Sequence, residues 1–94
     1  MVHILAIHAH PDDIETLAAG TLALLAGAGH QIRIATVTGG DLGSARTPPQ
    51  ETAATRKAEA AQAAALIGAE YRCGDVPDLS VFNDDPTRRT VTEL

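Results

Sequence analysis

Short apolar and β-branched runs alternate along this chain with segments of strong helix formers, and this alternation constrains the fold more than any other feature. Residues 2–8 (VHILAIH) form a nearly continuous apolar run, typical of a strand buried on both faces of a sheet. Residues 31–38 (QIRIATVT) are rich in β-branched residues and predict a second strand. Strands that alternate with helices indicate βαβ units, so we expect an α/β fold: a Rossmann-like, three-layer arrangement around a parallel sheet.

The remaining elements are predicted from helical spacing, helix-forming composition and the turn residues that flank them. They are a helix over Asp13–Ala28, a helix over Gln50–Ile67 after two prolines, and a short third strand over Glu70–Cys73. A last helix is predicted to run through Thr87–Leu94, with Asp85 as its N-cap and Pro86 as its first residue.

The predicted core is thin for the length of the chain. Hydrophobic residues make up 45% of the sequence, but many are alanine and aromatics are only 2%, so little area is buried per residue. The last predicted helix is short and stops at Leu94 without a terminating signal. We therefore expect residues 1–94 to be a single partial α/β domain, the N-terminal part of a longer one, and a possible homo-oligomer because three short strands leave a sheet edge open.

Charge and targeting signals exclude several classes of protein. A formal net charge of −5 argues against general nucleic-acid binding, which needs clustered Lys and Arg. No apolar stretch is long enough for a membrane span, and residues 1–7 lack the basic start of a signal peptide. A lone cysteine, Cys73, excludes an internal disulfide framework. We expect a cytoplasmic protein.

The segment HAHPDDIE, residues 8–15, concentrates titratable side chains between the first strand and the first helix. One interpretation is structural: Asp12 and Glu15 have the spacing of a capping box. The other is a metal site, because ligands of open α/β sheets bind beyond the carboxyl ends of strands. His10 and Asp13 are ordinary Zn²⁺ ligands, and Asp12 between them could face a metal-bound water. The residues alone support the two interpretations about equally.

A function of another class also fits the pattern. The segment GGDLG, residues 39–43, is a weak candidate phosphate loop, because it lacks the G-x-G-x-x-G spacing and follows the second strand. The alternative hypothesis is therefore a non-catalytic Rossmann-like module that binds a nucleotide or a protein partner in the strand-end crevice.

A set of motifs along the whole chain resembles the LmbE-like, or PIG-L, family of zinc-dependent N-deacetylases. The matching segments are Ala9-His10-Pro11-Asp12-Asp13-Ile14-Glu15, Ala19-Gly20-Thr21-Leu22, TVTGGDLGS at residues 36–44, Arg56 with Glu59, Ile67-Gly68, and Pro77-Asp78. The first of these is specific and the others are supportive. The chain departs from the family pattern at Asp41, where glutamate is preferred, and at Leu79, which replaces the glycine of P-D-G.

The resemblance implies the N-terminal portion of the LmbE-like fold and a hydrolase that removes an acetyl group from an N-acetylated amino sugar or its conjugate. It implies Zn²⁺ as cofactor and a role for each matching residue. These are His10 and Asp13 as zinc ligands, Asp12 as the general base for a zinc-bound water, Arg56, Asp78 and Asp41 in substrate binding, and Glu15 as support for the loop. The family's third ligand, a later histidine, has no match here, so we expect the 94 residues alone to be inactive.

Overall fold

The structure, a computed structural model, describes all residues 1–94. Its elements run in the order β1 (His3–His8), α1 (Asp13–Leu17), α2 (Ala19–Gly27), β2 (Gln31–Thr38), α3 (Pro49–Ala65), β3 (Glu70–Val76) and α4 (Asp85–Glu93).

The three strands form one parallel sheet in the order β1-β2-β3, with β2 in the middle. His3 pairs with Gln31 at one end of the β1–β2 ladder, and Arg33 pairs with Glu70 where β2 meets β3. The predicted α/β class with a parallel sheet is confirmed. Because all three strands run the same way, their carboxyl ends meet at one edge of the sheet, where the loops carrying the motif residues begin.

Helices α1, α2 and α3 pack on the same face of the sheet. Ile14, Leu22 and Ala64 of these helices form one buried cluster with Ile32 and Ile34 of β2. This arrangement follows from two successive right-handed crossovers in the same direction, which place their helices on one side.

Helix α4 lies on the opposite face, against β3. A Cβ on Gly74 would come within 2.8 Å of Thr90 Cγ2, so the absence of a side chain at Gly74 admits α4. Because successive residues of a strand face opposite sides of the sheet, Gly74 faces the side opposite to that of Tyr71 and Cys73. Tyr71 packs against the core on the first face, so α4 lies on the second. The third layer is therefore present but consists of one short helix.

The expectation that the first strand is buried on both faces is wrong. Leu5 in the middle of β1 is 50% exposed. The reason is tertiary: α4 covers the second face beside β3 and leaves much of the β1 side open. Only 13 of 94 residues are buried, which confirms that the core is thin.

The single helix expected over Asp13–Ala28 is also wrong, since a break at Ala18 divides it into α1 and α2. Ala18 has φ −136°, outside the helical region, although its N–H still donates to the carbonyl of Ile14 at 2.8 Å. The break changes the direction in which side chains point on its two sides. Leu17, the last residue of α1, is 73% exposed.

The end of the chain differs from the prediction by one residue. Asp84, not Asp85, is the N-cap of α4, and its Oδ1 accepts the N–H of Thr87 at 2.9 Å. Pro86 therefore takes the second helical position. The third strand is also longer than expected and continues past Cys73 to Val76 through a register irregularity. None of the four helices is both long and apolar enough to cross a lipid bilayer.

Candidate active site

Three loops meet at the carboxyl edge of the sheet. We call them the first loop (residues 9–12, after β1), the second loop (residues 39–48, after β2) and the third loop (residues 77–84, after β3). Every residue that the sequence analysis placed in a site belongs to these loops, to the first turn of α1, or to the side of α3 that faces them.

His10 and Asp13 converge at the junction of the first loop and α1. Oδ2 of Asp13 accepts the backbone N–H of His10 at 2.9 Å, which closes a tight turn around Pro11. Nδ1 of His10 lies 3.6 Å from the same Oδ2. Two ligand atoms that each lie 2.0–2.2 Å from one tetrahedral zinc ion are roughly 3.3–3.6 Å apart. The separation of these two atoms is therefore compatible with two ligand positions around a single zinc ion.

The chain offers no third donor at this point. No group of three or more His, Cys, Asp or Glu side chains lies close enough to hold a metal ion. A catalytic zinc ordinarily has three protein ligands. His10 and Asp13 could therefore supply at most two of the three.

Asp12 does not form the capping box that its spacing with Glu15 suggests. It occupies the N-cap position of α1, but its side chain makes no cap hydrogen bond. Its backbone has φ 104° and ψ −27°, in the left-handed region that non-glycine residues rarely adopt. Such strain concentrates at functional positions and persists only where surrounding contacts hold it. The carboxylate is left 72% exposed beside the His10–Asp13 pair.

Glu15 lies in the first turn of α1 and is partly buried. An acid at this position is favoured by the positive end of the helix dipole.

Arg56 reaches from α3 to both the first and the second loop. Its Nη2 donates to the carbonyl of Pro11 at 2.7 Å and its Nη1 to the carbonyl of Gly40 at 3.0 Å. Nη2 also lies 3.5 Å from Oδ2 of Asp12. The side chain is 23% exposed, so Arg56 is not a solvated residue of a helix surface.

Asp41 and Asp78 connect the second loop to the third. Oδ1 of Asp41 accepts the backbone N–H of Asp78 at 2.7 Å, and Oδ2 of Asp78 accepts the backbone N–H of Leu42 at 3.0 Å. Each carboxylate thus satisfies a main-chain donor of the other loop.

The second oxygen of Asp78 faces His10. Oδ1 lies 3.3 Å from Nε2 of His10, yet it has no hydrogen-bond partner although it is buried. A buried carboxylate oxygen without a partner is costly. It is available to a ligand.

Sequence reasoning missed the hydrogen bonds from site side chains to the main chain described above, and it also missed a hydrogen-bond network beneath the second loop. Beneath the second loop, the hydroxyl of Tyr71 lies 2.6 Å from Oγ1 of Thr36, and Thr36 donates to the carbonyl of Thr38. Thr38 in turn accepts the N–H of Gly40 at 3.2 Å. Burial raises the pKa of Tyr71 to about 12, against the lowering effect of its hydrogen bond to Thr36. The segment TVTGG contains the signal for this network, but a β-branched strand ending in glycines does not reveal which hydroxyls are buried.

The sequence and the fold are similar to those of known proteins. A family model for GlcNAc-PI de-N-acetylase (PIG-L) matches residues 5–94. The structure of N,N'-diacetylchitobiose deacetylase from Pyrococcus horikoshii, in complex with an inhibitor, is similar with a TM-score of 0.89 and 26% identity, over 97% of this chain and 35% of that one. The structure of GalB, the 4-carboxy-2-hydroxymuconate hydratase from Pseudomonas putida KT2440, is similar with a TM-score of 0.80 and 25% identity, over 89% of this chain and 38% of that one.

The chain therefore spans little more than a third of the length of these two structural neighbours. The family match extends over nearly all of its residues and includes the three loops described above. On this evidence the chain belongs to the PIG-L family of GlcNAc-PI de-N-acetylases, as its motifs predicted.

Proposed function

We propose that this chain contributes the metal-binding and base residues of a zinc-dependent hydrolase that removes an acetyl group from the amine of an N-acetylated amino sugar or its conjugate. The family description names a de-N-acetylase, and one structural neighbour is a deacetylase of an acetylated sugar. His10 and Asp13 are the proposed zinc ligands, and Asp12 is the proposed general base.

The conformation of Asp12 is the observation that carries the proposal. An aspartate at a helix N-terminus gains stability by capping. Asp12 instead keeps a strained backbone and an uncapped, exposed carboxylate next to a histidine and a carboxylate with zinc-ligand spacing. A purely structural role for the segment would favour the cap.

The chemistry assigned to each residue follows from its donor and acceptor groups. Zn²⁺, when bound, lowers the pKa of its water to about 7 and polarises an acyl oxygen. The carboxylate of Asp12 accepts a proton from the attacking water and returns it to the amine that leaves. His10 and Asp13 would hold the ion, and the backbone N–H of His10, which donates to the Asp13 carboxylate, fixes the turn.

The substrate contacts are proposed for the atoms that the loop contacts leave free. Oδ1 of Asp78 is a buried acceptor without a partner, suited to a sugar hydroxyl. Asp41 and Arg56 are also proposed to contact the substrate. The proposed contact of Asp41 is through Oδ2, because its Oδ1 accepts the N–H of Asp78.

A phosphate-binding module receives less support from the geometry. The Arg56 guanidinium packs against Gly40 and Gly43 and donates to the carbonyl of Gly40, so it occupies the space beside these glycines that a phosphate would need in order to approach their backbone. A Cβ on Gly43 would lie 2.5 Å from Nη1 of Arg56, so this glycine admits the arginine. The likeness to the hydratase favours a second enzymatic candidate, addition of water to an unsaturated carboxylated substrate, in which Asp12 would again act as base.

Zinc binding by the 94-residue chain tests the metal half of the proposal. Isothermal titration calorimetry is expected to find weak, one-to-one binding that His10→Ala abolishes and that His3→Ala, at the exposed opposite end of β1, leaves unchanged. Tight nucleotide binding without zinc binding would support the module instead.

Turnover tests the chemical half. Because the chain supplies two ligands, activity requires a form of the protein that provides a third. Such a form is expected to release acetate from N-acetylglucosamine conjugates in the presence of zinc. Hydration of 4-carboxy-2-hydroxymuconate without acetate release would favour the second candidate.

A further inference from the structure

We propose that Arg56 is a positioning residue that holds the backbone of Asp12 in its strained conformation, and that Gly40 and Gly43 are present to admit its guanidinium. The inference rests on the proposed role of Asp12 as base, but the loop geometry that carries it is independent of that role.

The contact to Pro11 acts directly on the strained torsion. The carbonyl of Pro11 belongs to the peptide that joins Pro11 to Asp12, and rotation of this peptide plane changes φ of Asp12. Nη2 of Arg56 holds that carbonyl at 2.7 Å with a charge-assisted hydrogen bond. The φ of 104° at Asp12 therefore has an identifiable restraint.

The contact to Gly40 gives the restraint a fixed support. Nη1 of the same guanidinium donates to the carbonyl of Gly40, in a loop that starts at the buried end of β2. That loop is itself braced by the bond from the N–H of Gly40 to Thr38. One planar group thus joins the turn after β1 to the loop that follows the central strand of the sheet.

The two glycines leave room for this group. A Cβ on Gly40 would overlap the guanidinium, and Gly40 also has φ 68°, so its substitution would be strained on two counts. Gly43 does not have a positive φ, and its Cβ would meet Nη1 of Arg56 at 2.5 Å and the carbonyl of Gly40 at 3.1 Å. Gly43→Ala is therefore a steric probe of the arginine position.

The geometry requires arginine rather than any cation. The two carbonyls belong to different loops, and the carboxylate of Asp12 lies 3.5 Å from Nη2. A planar fork with several fixed donors satisfies these acceptors together, whereas an ammonium is a point charge on a flexible stem. Lysine at this position is expected to keep the positive charge but not to bond the carbonyls of Pro11 and Gly40 at the same time.

A residue that only bound substrate would behave differently. Its removal would raise KM, because it would weaken binding in the ground state and the transition state alike. A residue that holds the base lowers kcat, since misplacement of a catalytic group by about 1 Å costs up to about 10²-fold. Arg56→Lys is expected to lower kcat by about 10–10²-fold, with a smaller change in KM.

Amide hydrogen exchange of the 94-residue chain provides a test without turnover. In Arg56→Lys and Arg56→Gln, exchange at residues 12–13 and 40–43 is expected to accelerate at least about tenfold, and the coupling constant that reports φ of Asp12 is expected to move towards values for negative φ. Arg33→Gln is the control, because Arg33 is paired with Glu70 on the exposed surface of the sheet. Circular dichroism identifies any variant that fails to fold, and Arg56→Lys is the milder replacement.

A double-mutant cycle completes the test. Gly43→Ala is expected to accelerate exchange in the first loop when Arg56 is present and to have a smaller effect in Arg56→Gln, because the conflict with the guanidinium is then gone and only the 3.1 Å contact with the carbonyl of Gly40 remains. Equal effects in the two backgrounds, or unchanged exchange in Arg56→Gln, would overturn the proposal. If the exchange results hold and Asp12→Asn retains full turnover, the proposed base is wrong while the positioning of the loop by Arg56 stands.

Discussion

Nε2 of His10 lies 3.3 Å from Oδ1 of Asp78, although the two atoms are not aligned as a hydrogen bond. With this contact, each of the three loops at the carboxyl edge of the sheet is joined to the other two. Arg56 joins the first loop to the second through its two hydrogen bonds to main-chain carbonyls. The hydrogen bonds between Asp41 and Asp78 and the backbone of each other's loop join the second loop to the third. Asp78 of the third loop then contacts His10 of the first. The titratable residues of the site are thus held by one another and by main-chain groups rather than by a large core.

Replacement of Asp12 by asparagine separates its proposed role as general base from its structural role. Asparagine tolerates left-handed backbone as well as aspartate does, so the fold and zinc content are expected to be unchanged. Turnover in a form with a complete site should fall by about 10²–10⁴-fold, the usual contribution of a general base. Acetate release and zinc content measured on the same preparation check this, and undiminished turnover would remove Asp12 from the mechanism.

Replacement of Asp13 by asparagine tests its proposed role as a zinc ligand without breaking the turn. The amide oxygen can still accept the N–H of His10, now 2.9 Å from the carboxylate, so the first loop should keep its shape. Loss of the anionic ligand should weaken zinc binding by at least about tenfold, since zinc prefers carboxylate to amide oxygen. Calorimetry measures the affinity, and Asp85→Asn, an exposed aspartate paired with Arg89, is the matched control.

Removal of the Asp41 side chain should loosen the third loop. In Asp41→Ala the N–H of Asp78 loses its partner, and an unpaired, part-buried donor costs about 1–3 kcal/mol. Denaturant unfolding measures the loss of stability. Asp41→Asn, which retains an acceptor, is expected to lose much less stability. Equal losses in the two variants would contradict a stabilising role for the hydrogen bond between Asp41 and the N–H of Asp78.

Tyr71 should make stability fall at high pH. Its pKa is raised to about 12, chiefly by burial, from an ordinary value of about 10. Between these values the unfolded chain has released the phenolic proton and the folded chain still holds it, so the free energy of unfolding decreases as pH rises from about 10 to about 12.

Tyr71 is the sole tyrosine, so the ultraviolet absorbance of tyrosinate reports its titration directly. In Tyr71→Phe, denaturant unfolding is expected to lose this component of the pH dependence and the stabilisation from the bond to Thr36, about 1 kcal/mol. A tyrosinate titration near pH 10 in the folded protein would contradict the prediction.

Asp84 should contribute stability that is lost in acid. The N–H of Thr87, which its side chain caps, lowers the pKa of Asp84 below its ordinary value. This stabilisation is present above the unfolded pKa of about 3.9 and is lost as pH falls through the lower folded pKa. Asp84→Asn keeps a good N-cap and should reduce the acid dependence, whereas Asp84→Ala should lower helicity at neutral pH as well. Circular dichroism over the acid range distinguishes the two variants.

The amino-acid sequence alone determined the class of fold and the family, and it predicted where a candidate site would lie. Periodicity is a local property, so the β-branched run of residues 31–38 predicted β2 with its observed bounds. The spacing of His10 and Asp13 around Pro11 is also local, and their convergence was predictable because three residues of a tight turn cannot separate the two side chains far.

Tertiary structure decided what the remaining residues contact. The capping box of Asp12 and Glu15 is the better local solution, yet Asp12 is held otherwise by Arg56, which is 44 positions away in the chain and reaches it only because α3 packs against the sheet. Three further features likewise depend on which elements lie side by side: the break at Ala18, the exposure of Leu5 and the contact between Asp78 and His10. A sequence pattern records which residues are suited to a helix, a strand or an ion, whereas pairing between distant residues is set by how the elements pack.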